Sequence, residues 1–167
     1  MSAPPPILLW IRRDFRLSDH PALSAAVVSG RPIIPVFIRD SDVVALGAAP
    51  KWRLGLGLEN FSETLSGCGS ALVLRSGDAL TSLQALIKET GATAVYWTRP
   101  YDSAGIARDK TVKKILKAQG IEARSFGGHL MFEPWDVETK TGGFYRVYSP
   151  MWRAVKDRNV ATPLLAP

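Results

Sequence analysis

The chain has 167 residues, 46% of them hydrophobic and 22% charged, which is an ordinary balance for a globular protein. A single cysteine, Cys68, excludes an internal disulfide, and no spacing of histidines, cysteines or carboxylates indicates a metal site. The formal net charge of +6 suits acidic partners such as nucleic acid, although a solvated basic surface explains it equally well. No stretch is long enough to span a membrane and the N-terminus lacks the charged start of a signal peptide, so we expect a cytoplasmic protein.

Five short apolar segments predict β-strands. They are Ile7–Ile11, Pro32–Ile38, Ala71–Leu74, Ala94–Trp97 and Ile121–Ser125. Because the first four segments are continuously apolar instead of alternating with polar residues, they are typical of parallel strands that are covered on both faces.

Helical patterns fill the four intervals between these strands. Asp19 or His20 can cap the first helix, which has Pro21 in its first turn, and Asp78 can cap the third. The four helices are predicted to end at Gly30, Gly67, Gly91 and Gly120. This alternation predicts an α/β fold: a Rossmann-like, doubly wound, five-stranded parallel sheet in a three-layer α/β/α arrangement. Ligands of such sheets bind outside the carboxyl ends of the strands.

The C-terminal part of the chain has a different character. We assign residues 1–135 to the Rossmann-like domain, and residues 136–160 to a hairpin and a short helix that complete it. The hairpin is expected to turn about Gly142-Gly143, and the helix to begin at about Pro150. Residues 161–167 are proline-rich and indicate the start of an interdomain linker. We therefore expect a further domain to follow.

The common nucleotide-binding motifs are missing. No G-x-G-x-x-G follows a predicted strand and no P-loop is present, so ordinary nicotinamide or ATP chemistry has little support. The two histidines, His20 and His129, have no nucleophilic serine or cysteine motif near them. We interpret both as capping or surface residues.

The loop after the fourth strand lies at the expected ligand edge of the sheet. Arg99, Tyr101 and Asp102 supply polar groups there. Ala104 and Gly105 leave space and are expected to offer free backbone N–H groups at a helix start. A planar or anionic ligand suits this loop, and an ordinary capped loop is the alternative interpretation.

The chain contains five tryptophans, which is many for its length. Trp10 and Trp97 lie on predicted strands, where burial in the core is expected. Trp52 opens a helix near the ligand edge and Trp152 lies in the C-terminal part. Stacking on a flat ligand suits both, and an interdomain contact explains them equally well.

A run of charges follows the first strand. We interpret Arg12, Arg13, Asp14 and Arg16 as a charged network that shapes the loop at the ligand edge, with phosphate binding as the alternative.

Taken together, five stretches resemble the N-terminal α/β domain of the DNA photolyase and cryptochrome family. They are LLWIRRDFRLSDHPAL, IIPVFIRD, KWRLGLGLENFSETL, YDSAGIARD and GGFYRVYSPMWRA. The first resembles the family pattern R-x-D-L-R-L-x-D-N/H-P-A-L, and the last resembles Y-x-V-F/Y-T-P-F-x-R-A. Their order and spacing fit, and the resemblance covers essentially all 167 residues.

The resemblance implies the antenna-binding domain of a deoxyribodipyrimidine photolyase, a carbon–carbon lyase that uses light and FAD to repair UV pyrimidine dimers in DNA. In this family a helical C-terminal domain holds FAD and the lesion, and the α/β domain holds a second chromophore that passes excitation energy to the flavin. The implied partners are UV-damaged DNA, bound through the full-length protein, and the helical FAD domain of the same chain. We expect a monomer that does not bind membranes.

Two alternatives accompany this interpretation. One is the equivalent domain of a cryptochrome blue-light receptor, and the other is a standalone Rossmann-like nucleotide-binding module. Because the helical domain lies outside these 167 residues, we expect them to be inactive in repair by themselves.

The resemblance places the antenna chromophore against eight residues: Arg39, Asp40, Trp52, Arg99, Tyr101, Asp102, Ala104 and Gly105. Folate-binding members often carry an Asn-Glu pair where this chain has Ala104 and Gly105, and the deazaflavin pattern P-Y-G-x-x-R-D is matched only in part. We expect methenyltetrahydrofolate, held by stacking and backbone groups, ahead of a deazaflavin or flavin, and an empty site last. Gly105→Glu is expected to change chromophore binding without unfolding the domain.

Overall fold

All five predicted strands are present in the computed structural model, which describes residues 3–167. They are β1 (Ile7–Ile11), β2 (Ile33–Arg39), β3 (Val73–Ser76), β4 (Ala94–Thr98) and β5 (Glu122–Phe126). They form one parallel sheet in the order β3-β2-β1-β4-β5. The predicted α/β class and doubly wound topology are therefore confirmed.

β3 begins two residues later than predicted, at Val73 instead of Ala71. β2 carries Pro35 in its interior, and a proline has no N–H to donate to a neighbouring strand. Pairing between β2 and β3 accordingly begins just after this proline, with Val36 opposite Val73. Pro35 itself lies opposite Leu9 of β1.

Within residues 3–167, six α-helices accompany the sheet. They are α1 (Pro21–Val28), α2 (Ser41–Val44), α3 (Ala48–Gly67), α4 (Ala79–Thr90), α5 (Ser103–Ala118) and α6 (Tyr148–Val155). The short helix α2 was not predicted, because four residues are too few to show a helical period. Among residues 3–167, no helix has the length and apolar character needed to cross a membrane.

The side chains of β1 divide the core into two layers. Ile7, Leu9 and Ile11 pack with α1 and α3 on one face of the sheet, through residues such as Phe61. Leu8 and Trp10 pack with α4 and α5 on the other face. Successive side chains of a strand point to opposite faces, so a strand buried on both faces must be apolar at every position. This is why β1 is a continuous apolar run.

The helix ends follow their capping residues. Asp78 caps α4 by accepting a hydrogen bond from the N–H of Thr81 at 2.8 Å, and Gly91 ends this helix with φ of 69°. At α1 the cap is His20, whose Nδ1 accepts from the N–H of Leu23 at 3.2 Å. The alternative cap, Asp19, instead has a positive φ of 49° in the turn before the helix.

The C-terminal part forms less regular structure than predicted. The expected hairpin is reduced to a single antiparallel bridge between Glu138 and Phe144, with Gly142 and Gly143 both at positive φ in the turn. α6 begins at Tyr148, two residues before Pro150. In the segment predicted as a linker, the carbonyl of Leu164 accepts a hydrogen bond from the N–H of Asp19 at 2.7 Å. The division into segments at residues 135 and 160 remains a prediction.

We predict that Asp78→Ala lowers the free energy of unfolding by about 1 kcal/mol, because the first turn of α4 loses its side-chain acceptor. The backbone N–H of Thr81 lowers the pKa of Asp78 below its reference value of 3.8. The stabilisation is therefore present above that pH and is lost as the pH falls through the lowered pKa of the folded state. Urea titrations at neutral pH and in acid measure both effects. Asp157→Ala, at a side chain that is 84% exposed, is the control and should change little.

Candidate functional site

A cavity of about 480 Å³ opens at the carboxyl ends of β1, β2 and β4. The strand order reverses between β1 and β4, so this switch-point cavity lies where doubly wound sheets bind ligands. Its lining residues are Arg12, Arg13, Phe37, Ile38, Asp40, Asp42, Val43, Leu46, Leu54, Thr98, Pro100, Tyr101, Asp102, Arg108 and His129.

The buried carboxylate of Asp14 organises one wall of this cavity. Its Oδ1 accepts hydrogen bonds from the backbone N–H groups of Arg12 at 3.0 Å and Arg13 at 3.2 Å. Its Oδ2 accepts from the hydroxyl of Thr98, at the end of β4. Burial by itself raises the pKa of Asp14, but contacts with His20, Arg12 and Thr98 together hold that pKa well below its ordinary value. Asp14 is therefore a fixed negative charge that joins the ends of β1 and β4.

His20 faces the same carboxylate from the start of α1. Its Nδ1 accepts from the N–H of Leu23, so the proton of the neutral ring must lie on Nε2. That Nε2 is 3.1 Å from Oδ2 of Asp14, an electrostatic contact whose angle lies outside hydrogen-bond geometry. His20 is thus a buried helix cap, which agrees with its interpretation as a capping residue.

Arginines and aspartates form a layer of paired charges in the cavity wall, with Asp109 behind it. The guanidinium of Arg12 donates to both carboxylate oxygens of Asp109, at 2.9 and 3.1 Å. Arg108 donates to Asp40 at 2.8 Å and also to Asp42. Both guanidinium groups lie over the indole ring of Trp10, with their central carbons 4.6 and 5.3 Å from its centroid. The indole and the carboxylates together hold the two cations in place.

The rest of the charged run after β1 serves a different purpose. Arg16 donates to the backbone carbonyls of Asp19 at 2.8 Å and Gly128 at 2.6 Å, so it ties this loop to the segment after β5. The side chain of Arg13 is exposed and faces the cavity. The predicted charged network is therefore present only in part. The guanidinium of Arg13 has no ion-pair partner among residues 3–167 and Arg16 binds backbone carbonyls, whereas the ion pairs of the site extend to Asp109 and Arg108, which were not predicted as members.

Asp102 caps α5, and this corrects the expectation of free backbone N–H groups there. Its Oδ1 accepts from the N–H of Gly105 at 2.7 Å, and this bond lowers the pKa of Asp102. A Cβ on Gly105 would lie 2.8 Å from Oδ2 of Asp102 and 2.9 Å from the Pro100 side chain. The absence of a side chain at Gly105 therefore allows Asp102 and Pro100 to pack closely against the first turn of α5. Because Gly105→Glu would disturb this cap, the variant would report on helix packing as well as on binding.

Glu133, in the segment after β5, holds the β4–α5 loop from outside the cavity. Its carboxylate accepts from Arg99 at 2.6 Å and from the hydroxyl of Tyr101 at 2.8 Å. Partial burial and the bond to Glu133 raise the pKa of Tyr101 to about 12, so its hydroxyl keeps its proton at neutral pH. Arg99 also lies 5.1 Å from the ring centroid of Trp135. These contacts fix the β4–α5 loop from outside.

The structure brings only part of the predicted site together. Of the eight predicted residues, Asp40, Tyr101 and Asp102 line the switch-point cavity. The others lie outside its lining: Arg39 at the exposed end of β2, Trp52 on α3 with 69% of its surface exposed, Arg99 behind Tyr101, and Ala104 and Gly105 in the first turn of α5. Glu133 was missed because it lies in an irregular segment without a periodic pattern.

Comparison with known proteins identifies the family. The profile of the family described as DNA photolyase matches residues 7–167. The chain is 49% identical over 151 residues to a deoxyribodipyrimidine photo-lyase of Agrobacterium fabrum, an alignment that covers 90% of this chain and 32% of that protein. It is 34% identical over 166 residues to cryptochrome-1 of Arabidopsis thaliana, covering 96% and 24% of the two chains.

A solved structure shows the same relationship. The crystal structure of a bacterial class III photolyase from Agrobacterium tumefaciens superposes with a TM-score of 0.93 at 44% identity, covering 100% of this chain and 35% of that one. Fold and cavity define a Rossmann-like α/β domain with a cavity at its switch point. The chain belongs to the DNA photolyase and cryptochrome family, and it has the fold of the family's N-terminal α/β domain. It spans about a quarter to a third of the length of the relatives described above.

We predict that Asp14→Asn lowers the free energy of unfolding by about 3 kcal/mol at neutral pH, because a buried charge network loses its central anion. The pKa of Asp14 is lowered in the folded state, so this stabilisation is complete above the reference pKa of 3.8 and is lost as the pH falls below it. The variant should therefore also show a shallower decline of stability in acid. Chemical denaturation at several pH values measures both, and equal stabilities of wild type and variant at pH 7 would contradict the role of Asp14.

Proposed function

We propose that this chain is the antenna-binding domain of a deoxyribodipyrimidine photolyase. The observation that carries the proposal is the switch-point cavity, found in a domain whose identity to a photo-lyase is 49%. In the full-length protein, the activity would be light-driven, FAD-dependent repair of UV pyrimidine dimers in DNA. FAD would be held by a helical domain outside these residues, and the α/β domain alone would be inactive in repair.

The cavity fits a flat chromophore. Its volume of about 480 Å³ falls in the range of small-molecule and cofactor sites, roughly 300 to 1,000 Å³. Phe37, Ile38, Leu46 and Leu54 provide apolar walls that exclude water from a ring system. When bound, such a chromophore would absorb light and transfer its excitation energy to the flavin.

Polar groups at the rim would orient the ring. Oδ1 of Asp102 is occupied by the N–H of Gly105, whereas Oδ2 has no hydrogen-bond donor among residues 3–167. This free carboxylate oxygen suits the amino edge of a pterin. Burial lowers the pKa of His129, so its neutral ring can both donate and accept a hydrogen bond. These groups support methenyltetrahydrofolate as the chromophore, with a deazaflavin or flavin second.

The C-terminal part of the chain offers a surface to the helical domain. Trp135, Phe144, Tyr148 and Trp152 are each between 48% and 76% exposed. Tyr148 and Trp152 stack with ring centroids 6.2 Å apart. Since the chain spans about a third of its photolyase relatives, we assign this aromatic surface to the rest of the polypeptide. Damaged DNA as substrate, a monomeric state and a cytoplasmic location complete the proposal.

A cryptochrome is the second candidate. The 34% identity to a plant cryptochrome extends over 96% of this chain, but it is lower than the 49% identity to the photo-lyase. The higher identity supports the repair enzyme.

Repair activity tests this choice directly. We expect the full-length protein, purified with its flavin, to split thymine dimers in DNA under blue light and to leave them intact in darkness. Its spectrum, recorded after isolation from its own host, should contain a band besides those of FAD. Dimers that persist under illumination would favour the receptor, and a spectrum of FAD alone would count against an antenna.

We predict that Val43→Trp reduces the chromophore content of the full-length protein at least about tenfold, because the indole would fill the cavity that Val43 lines. Val44 lies next to it on α2 but is 48% exposed and does not line the cavity. Val44→Trp is therefore a matched control and should leave the content unchanged. Absorption spectra and thermal unfolding separate binding from stability. Equal loss in both variants would argue against this location.

A further inference from the structure

A second depression borders the switch-point cavity on the side of α3. The two depressions share Arg13, Leu46 and Leu54 as lining residues, so they are neighbouring parts of one open surface. We call the second depression the outer groove. Its remaining lining includes Phe15, Pro50 and Arg53.

The outer groove has uncompensated positive charge. Among the described residues that line it, Arg13 and Arg53 are the only charged ones, and none is a carboxylate. Both arginines are exposed, and within residues 3–167 neither guanidinium makes an ion pair or a hydrogen bond. By contrast, Arg12 and Arg108 at the cavity are paired with carboxylates. The two depressions therefore differ in charge: the cavity is largely neutralised and the outer groove is cationic.

The floor of the outer groove is apolar and depends on a glycine. Gly57 lies inside α3, where glycine is unfavourable by up to about 1 kcal/mol relative to alanine. A Cβ at this position would lie 3.0 Å from the aromatic ring of Phe15. The glycine thus lets the ring of Phe15 pack against the helix and form part of the floor.

We propose that the outer groove binds the anionic tail of the chromophore whose ring occupies the switch-point cavity, an inference that rests on the proposed function. Arg13 stands between the two depressions and Arg53 lies in the outer one. Guanidinium groups bind phosphate and carboxylate oxygens through paired N–H donors. The ligand is therefore a flat heterocycle with a negatively charged extension, either the phosphate of a flavin nucleotide or the carboxylates of a folate glutamyl chain.

Pairs of ligands that share a ring and differ in the tail test this proposal. FMN and riboflavin form one pair, and methenyltetrahydrofolate with three glutamates or one forms the other. The experiment uses the full-length protein with its antenna chromophore removed. We expect the ligand with the more negatively charged tail to bind about tenfold more tightly than its partner in one of the two pairs at low salt. The pair that shows this difference identifies the tail.

Arg53→Gln is the decisive variant because Arg53 lies in the outer groove and not in the cavity lining. It should remove most of the tail-dependent difference and leave the affinity for riboflavin or the monoglutamate unchanged. Lys114→Gln, at an exposed residue of α5, changes the net charge equally and is the control. Raising the salt concentration should weaken the effect of the tail, because exposed charges are screened.

The outcomes separate this inference from the proposed function. If ring binding is retained but the tail makes no difference, or if Arg53→Gln and Lys114→Gln behave alike, the outer groove is not a tail site while the antenna proposal stands. If neither ring binds to the wild-type protein, both proposals are wrong.

Discussion

The buried carboxylate of Asp14 is the interaction on which the rest of the site depends. The chain leaves β1 at Ile11 and must turn at the switch point, where its backbone N–H groups no longer have strand partners. Asp14 accepts two of these N–H groups and the hydroxyl of Thr98, and His20 approaches its second oxygen. Three elements, β1, β4 and α1, therefore meet at one anion. An unpaired charge in this position would cost several kcal/mol, so the loop has little freedom to take another course.

Around that centre, the charges of the cavity are matched to each other and to an aromatic ring. Arg12 and Arg108 are held between Trp10 and three aspartates, so their guanidinium groups are already oriented when no ligand is bound. A site whose groups are already oriented loses less side-chain entropy on binding. The outer groove follows the opposite principle, because its arginines have no carboxylate partner in the part of the chain that the structure describes. Neutralised charges in the cavity beside exposed cations in the outer groove fit the flat ligand with an anionic tail that we propose.

The site was harder to predict from sequence than the fold. Apolar runs located β1 to β4, and Asp78 and Gly91 marked both ends of α4, because these signals are local. The predicted binding residues were chosen by their position after a strand, which places a residue at the ligand edge but does not give the direction of its side chain. The residues Asp40, Tyr101 and Asp102 line the cavity, whereas Arg99 is turned away from the cavity by its bond to Glu133. That partner lies 34 positions along the chain, beyond the reach of any local pattern.

The sequence by itself determined the order of the five strands and of the four longer helices between them, the coverage of the sheet on both faces and the family to which the chain belongs. These properties follow from hydrophobic periodicity, capping residues and motifs, all of which are readable within a few neighbouring positions. Only the tertiary structure decided which charges are neutralised: it paired Arg12 with Asp109, placed Arg108 against Asp40, and left Arg13 and Arg53 without ion-pair partners among residues 3–167. The physical reason is that electrostatic interactions depend on the distance between two charges and on their burial. Residues far apart in the chain come together only when the strands and helices pack into the folded domain.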